Sequence, residues 1–249
     1  MRRLFVPREQ WIGSRAVVDG DAHRHLTRVL RARPGDALCL FDGQGGEIDA
    51  VVETIERDRT TLSLGAPRAA AIVAGARIVL LQSLARGERM DWIIQKTTEL
   101  GVTRVVPVAA ERSVARLSAA EAPARRARWQ KIAREAARQC GRADVPDVGT
   151  PVALAGALED SRAELAAAGG AGFALWEGSR GRPLRVALAV APRAVALLVG
   201  PEGGFTDGEI AAAEAAGFQV AGLGPRILRV ETAAVVAVAL AQAAAGGLD

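Results

Sequence analysis

Tyrosine is absent from this chain of 249 residues, and lysine, histidine and cysteine occur twice each. Each scarcity removes a class of function. Cys39 and Cys140 stand far apart, which argues against a disulfide scaffold and leaves no thiolate cluster at metal spacing. His23 and His25 have the spacing of a strand or loop ligand pair, but no cysteine or carboxylate cluster accompanies them. No metal is expected. Without tyrosine, and with aromatics at 4%, a protein that grips long single strands by base stacking is disfavoured. Long apolar runs are missing as well. The longest candidate, Ala233–Ala245, is broken by Gln242 and rich in alanine, so it reads as a buried helix rather than a membrane span. The opening residues MRRLFVPREQW contain no apolar signal core. The expectation is a soluble cytoplasmic protein with no membrane partner.

What is present is apolar bulk and arginine. Half of the residues are apolar, enough for a sizeable core. The length suits one large domain, or a small one joined to a medium one. Net charge is +4 and nearly all the basic residues are arginine. The charge is unevenly spread. Between Arg104 and Arg142 ten basic residues face three acidic ones. A basic segment on a neutral background is the footprint of a polyanionic partner.

The first 72 residues read as a small β-rich domain. RLFV, ALCLF, GEIDAVVETIE and TTLSL alternate as strands, and DAHRHLTRVLR is a short helix with Asp21 as its N-cap. GAPRAAAIVAGA, residues 65–76, reads as a linker. From residue 73 to 249 buried strands alternate with helices: RIVLLQSL, TRVVPVAA, GFALWEG, AVALLVG and FQVAGLG against ERMDWIIQKTTEL, the long arginine-rich segment to Arg142, TDGEIAAAEAAG and ETAAVVAVALAQAAAG. Gly101 falls where a helix-ending glycine belongs. Such alternation predicts an α/β domain on a mostly parallel sheet.

Two loops stand out. LLVGPEGGFTDGE leaves a buried strand at Gly200 and enters a helix through a Thr206-x-x-Glu209 capping box. LGPRILRVETA, residues 223–233, follows the next strand. In open α/β sheets ligands bind at the carboxyl ends of the strands. Together the loops offer backbone amides, apolar walls, an acid and arginines, which suits a cofactor with an adenine ring and a charged tail. Tight turns and plain core packing would account for the glycines alone. No P-loop, no G-x-G-x-x-G after a first strand and no G-x-S-x-G elbow occurs.

These two segments resemble the carboxyl-terminal motifs of the SPOUT methyltransferases, and within them the ribosomal RNA uracil-N3 methyltransferases of the RsmE type. QKTTELGVTRVVPV, ERS, WQKIAREAARQCGRADVP and HLTRVLRARPGD extend the likeness, in order, over nearly the whole chain. LWEG departs from it, with Trp176 where many relatives carry tyrosine. The resemblance implies a carboxyl-terminal SPOUT domain with a parallel sheet and deep trefoil knot, preceded by a PUA-like β-barrel domain that binds RNA. It implies a homodimer that takes S-adenosylmethionine and methylates N3 of one uridine in 16S ribosomal RNA, within the small ribosomal subunit or a late assembly form.

Carried onto this chain, the resemblance makes Leu198, Gly200, Pro201, Glu202, Gly203, Leu223, Gly224, Ile227, Leu228 and Thr232 the cofactor cradle. Arg229 is the candidate for stabilising the developing uracil anion, and Glu202 for organising the loop or accepting a proton. Arg229 would otherwise be a salt-bridge partner of Glu231 or a helix-end contact. Along the long helix Trp129, Ile132, Ala136 and Cys140 share a buried spacing, while Arg128, Lys131, Arg134, Arg138 and Arg142 form a basic stripe. With Arg24, Arg28 and Arg31 of the first domain they are the candidate RNA contacts. His23 and His25 read as surface or capping residues. Two rivals remain at this level: an RNA-binding module without catalysis, and a related knotted methyltransferase acting on transfer RNA or on a ribose hydroxyl.

Overall fold

The computed structural model describes residues 2–68, 75–113, 118, 120–177, 181–190 and 192–248. The chain divides into two compact units. One comprises residues 1–72 with Arg134–Val145, the other residues 73–133 with 146–249.

Among the described residues the first unit has six strands: β1 (Arg2–Phe5), β2 (Trp11–Ile12), β3 (Arg15–Asp19), β4 (Ala37–Phe41), β5 (Glu47–Ile55) and β6 (Arg59–Arg68), in the order β1-β4-β5-β6-β3-β2. Only β1 and β4 run parallel. Strand periodicity sets the core. Ala16 and Val18 point in while Arg15, Val17 and Asp19 point out, and Ile48, Ala50 and Val52 do the same on β5. These residues join Leu4, Leu38, Leu40 and Leu62 in one cluster, so the sheet wraps around a single core. β6 continues to Arg68, paired with Glu47. The expected linker therefore starts inside a strand, and its residues 69–74 lie outside the described set.

A helix α1 (Gly20–Arg24) leaves β3 directly and runs on as a π-helical segment, His25–Val29. Its N-cap is Asp19, not Asp21 as expected; Asp21 pairs with Arg24 instead. The strand ends one residue before the helix begins, which shifts the cap upstream. His23 is not a surface residue. It is buried beside Leu26, with Nδ1 2.8 Å from Thr60 Oγ1. His25 is half-buried, and burial, aided by the charge of Arg138 against that of Glu135, holds its pKa below the usual value.

The second unit is built on one all-parallel sheet. Its strands are β7 (Arg77–Ser83), β8 (Arg104–Ala109), β9 (Asp147–Val148), β10 (Val152–Ala153), β11 (Ala171–Leu175), β12 (Arg182–Pro183), β13 (Ala194–Val199) and β14 (Phe218–Gly222), ordered β10-β8-β7-β13-β11-β14-β12 with β9 beside β8. Among the described residues six α-helices accompany it: α2 (Arg89–Glu99), α3 (Ala122–Cys140), α4 (Leu154–Ala168), α5 (Leu184–Ala187), α6 (Asp207–Ala215) and α7 (Val230–Ala244). α3 belongs to this unit up to Ala133, and its remainder clusters with the first.

All six residues of β13 are buried, as a strand covered on both faces requires. On one face Val79, Leu81, Val106, Val108, Ala196 and Leu198 pack with Leu158 of α4, and with Phe205 and Ile210. On the other, Ile78 and Leu80 are fully buried, α7 packs on β7 and β13, and α2 packs on α7. Each large apolar side chain so withdrawn contributes about 1.5–3 kcal/mol. α2 buries Met90, Ile93, Ile94, Thr97 and Thr98, one stripe at helical spacing. Gln242, buried on α7, accepts from the Ala76 N–H (3.2 Å) and donates to the Gly101 carbonyl (2.9 Å). A Cβ at Gly101 would stand 2.6 Å from Gln242 Nε2, so this tie as well as the left-handed turn requires glycine there. No helix among the described residues is long and apolar enough to cross a membrane.

Candidate active site

The loops after β11, β13 and β14 meet at the carboxyl edge of the sheet because their strands are neighbours. Two cavities open there. One, of about 430 Å³, lies among Leu175, Trp176, Gly222, Leu223, Gly224 and Leu228. The other, of about 480 Å³, is lined by Arg89, Val199, Gly200, Pro201, Glu202, Gly204, Arg229 and Glu231. Leu175, Glu177, Ile227, Leu228 and Ala233 line both. Each cavity is of small-molecule size. A third, open hollow of about 740 Å³ shares Arg89 and Glu231 and is completed by Arg86, Glu88, Trp92 and Thr232.

The loop after β13 is held by its polar groups. Glu202 Oε1 accepts from the Arg86 N–H (3.0 Å) and from Arg89 Nη1 (2.5 Å). Burial raises the pKa of Glu202, but the Arg86 N–H, its own backbone N–H and the Arg89 guanidinium outweigh that and hold it below the ordinary value. Arg112 Nη1 donates to the Gly203 carbonyl at 3.3 Å. The capping box forms as expected: Thr206 accepts from the Glu209 N–H and Glu209 Oε2 from the Thr206 N–H. Glu209 Oε1 also accepts from the Glu111 N–H, at 2.8 Å.

The loop after β14 is different. Gly224 sits at φ +109°, a conformation closed to other residues. Ile227 is 87% exposed. Arg229 lines the second cavity as the N-cap of α7, and among the described residues its side chain has no hydrogen bond or ion pair. Glu231 is not its partner; Glu231 Oε2 lies 3.9 Å from Arg89 Nε.

The structure sorts the expected cradle. Gly200, Pro201, Glu202, Leu223, Gly224, Ile227 and Leu228 line the two cavities. Leu198 does not; its side chain is buried in the core. Gly203 is absent from the lining too. A Cβ there would stand 3.0 Å from Arg112 Cβ, so its lack of a side chain answers to a neighbouring loop. Thr232 faces the open hollow. Leu175, Arg89 and Glu231 line the site without having been expected there, beside Gly204 of the first loop and Trp176 and Glu177 of the LWEG segment. Spacing gave no signal for Arg89, which lies over a hundred residues from the loops it serves.

The candidate RNA contacts divide likewise. Arg24 pairs with Asp21, Arg128 with Asp91, and Arg138 with Glu135 at 3.0 Å. The Arg134 guanidinium lies over the Phe5 ring, 4.2 Å from its centroid, and burial lowers its pKa. Arg28 and Arg31 are exposed and have no partner among the described residues.

A family model described as an RNA methyltransferase domain matches residues 74–242, and one described as an RNA methyltransferase PUA domain matches residues 18–64. Proteins named ribosomal RNA small subunit methyltransferase E are similar over most of the chain. That of Mycobacterium bovis is 37% identical, covering 90% of this chain and 85% of its own. That of Bacillus subtilis is 31% identical, covering 88% and 86%. A Legionella pneumophila methyltransferase solved with its cofactor SAM superposes with a TM-score of 0.88 at 31% identity, over 98% of this chain and 97% of that one. The Neisseria gonorrhoeae methyltransferase E bound to S-adenosyl methionine gives 0.84 at 33% identity, over 96% and 95%. The parallel α/β sheet, the paired loops at its carboxyl edge and these likenesses place the chain in the SPOUT-type RNA methyltransferase family, with a PUA domain and with relatives named ribosomal RNA small subunit methyltransferase E.

Proposed function

We propose that this protein transfers the methyl group of S-adenosylmethionine to N3 of one uridine in 16S ribosomal RNA. It would act as a cytoplasmic homodimer with a trefoil-knotted catalytic domain, on the small subunit or a late assembly form. The observation that carries the reading is the pair of adjoining cavities built from the GPEGG and LGPRILR loops. Their chemistry fits the cofactor. A Cβ at Gly222 or Gly224 would meet nothing within 4 Å, so a side chain at either would extend into the cradle. The first cavity has apolar walls for a purine. Carboxylates of Glu177, Glu202 and Glu231 edge the second, and they suit the sulfonium and the ammonium group of the cofactor's tail.

Gly200, Pro201, Glu202, Leu223, Gly224, Ile227 and Leu228 would hold the cofactor. When bound, the cofactor's sulfonium supplies an electrophilic methyl group. Uracil N3 carries a proton and attacks well only as the anion. Arg229, unpaired at the cavity edge, is placed to stabilise that anion. Glu202, engaged by Arg86 and Arg89, supports the role of loop organiser over that of base. For RNA, Arg28 and Arg31 are the candidates with free guanidinium groups.

Mapping of modified nucleosides in 16S RNA from a strain lacking the gene tests the reading. Loss of N3-methyluridine at one position is expected. Intact N3-methyluridine, with a methyl lost from transfer RNA or a ribose, would replace the substrate. Calorimetry with S-adenosylmethionine separates an enzyme from a bare RNA-binding module, which would not bind it.

A further inference from the structure

Among the described residues around the two site cavities, Glu231 alone carries a buried charged-group atom without a hydrogen-bond partner. Its Oε2 is shielded from solvent and receives no hydrogen bond. The nearest cation, Arg89, stands 3.9 Å away and is already bonded to Glu202. A buried acceptor left unmade costs stability, and native proteins keep few of them. Glu231 lines both the cavity that holds Arg229 and the open hollow beyond it. A group entering from the hollow toward the cofactor cavity passes this carboxylate.

Resting on the function proposed above, we propose that Glu231 is the catalytic residue that accepts the N3 proton of the target uridine. The step balances. The N3–H bond breaks and its proton passes to the carboxylate. The bonding pair stays on N3 and forms the bond to the methyl carbon, whose bond to sulfur gives up its pair to sulfur. The carboxylic acid then returns the proton to water. Arg229, two residues earlier, holds the transient negative charge. The other acids serve this role less well. Glu202 spends Oε1 on two donors, and Glu177 is exposed to solvent rather than sheltered. Arg86, Glu88, Arg89, Glu177, Glu202 and Arg229 are the other charged residues lining these spaces among the described residues. None of them donates a hydrogen bond to Glu231.

Glu231→Gln keeps the shape and removes the base. Calorimetry, a thermal melt and single-turnover rates against pH should be run on wild type and variant, with RNA carrying uridine or the more acidic 5-fluorouridine at the target. The expected result is cofactor affinity within about twofold of wild type, an undiminished melting temperature, and a rate lower by about 100-fold or more. That deficit should shrink as pH rises and with 5-fluorouridine, because each supplies the anion without a base. Loss of cofactor affinity would make Glu231 a cofactor ligand and overturn the inference. So would a near-normal rate, or a deficit that neither pH nor 5-fluorouridine reduces. A wild-type protein that binds S-adenosylmethionine but methylates another atom would overturn the functional reading and this inference with it.

Discussion

Gly200–Phe205 and Leu223–Arg229 each leave the carboxyl end of a parallel strand, carry glycine, and enter a helix. They are held in opposite ways. The first is tied to two separate segments, to Arg86 and Arg89 through Glu202 and to Arg112 through Gly203, and Glu209 of the helix it enters adds a bond from the Glu111 N–H. The second has no side-chain hydrogen bond or ion pair from Pro225 to Arg229 among the described residues, and it exposes Ile227 almost fully. One loop is a frame made rigid by the protein itself. The other leaves its apolar and cationic groups for something else to satisfy. Pre-organised donors lower a barrier because they need no rearrangement as charge develops, while free groups provide the contacts a substrate completes. The difference makes the first loop a fixed frame and leaves the second to contact what the cavities take up, cofactor and substrate alike.

The sharpest way to break that comparison is Arg229→Ala. An arginine that acts on the transition state affects the rate far more than binding. The single-turnover rate should fall by about 100-fold or more, as for a lost oxyanion donor, with S-adenosylmethionine affinity little changed by calorimetry. Arg229→Lys should recover little, because an ammonium lacks the planar fork. A variant that instead loses melting temperature, at near-normal rate, would place Arg229 with the structural frame.

Both loops were legible in the sequence because glycine and the capping box are local signals. The strand–helix alternation was equally plain, since β13 is a continuous apolar run and β7 is built on another, Ile78–Leu81. What the sequence hid is non-local. Arg89 serves the site by reaching Glu202 across the fold, and no spacing rule connects them. The basic stripe on α3 looked uniform because helical periodicity sorts residues by face without naming neighbours. Phe5 under Arg134 and Asp91 beside Arg128 come from distant segments. α4 was passed over, although Leu154, Ala157, Leu158 and Ser161 are buried at helical spacing, because alanine on all sides blurs its apolar face.

A pair of glycine substitutions tests the comparison next. Gly224→Ala forces a side chain to φ +109°, a strain of about 1–3 kcal/mol, and directs it into the cradle. Cofactor affinity should drop about tenfold or more, with some loss of melting temperature. Gly203→Ala meets Arg112 instead. It should lower the melting temperature slightly and leave affinity within about threefold. Equal losses of affinity from both would mean that Gly203 borders the cofactor after all.

The smallest effect should come from Glu202→Gln, and it concerns the frame alone. A carboxyl whose folded pKa lies below its unfolded value adds stability at pH above the unfolded value, about 4.3 for glutamate. That contribution is lost as pH falls through the folded value. Glu202 is such a group, because the Arg86 N–H and Arg89 favour its charged form more than burial opposes it. Glutamine keeps an oxygen for the Arg86 N–H but carries no charge for Arg89. Its melting temperature should therefore sit modestly below wild type at neutral pH. The gap should close on acidification, once wild-type Glu202 is protonated as well. Added salt should narrow the gap at neutral pH, since Arg89 is 40% exposed. A gap that stays constant from neutral pH through the acid range would trace the loss to shape rather than charge. A fall in rate as deep as that of Arg229→Ala, at full cofactor affinity, would move Glu202 from the frame to the proton transfer.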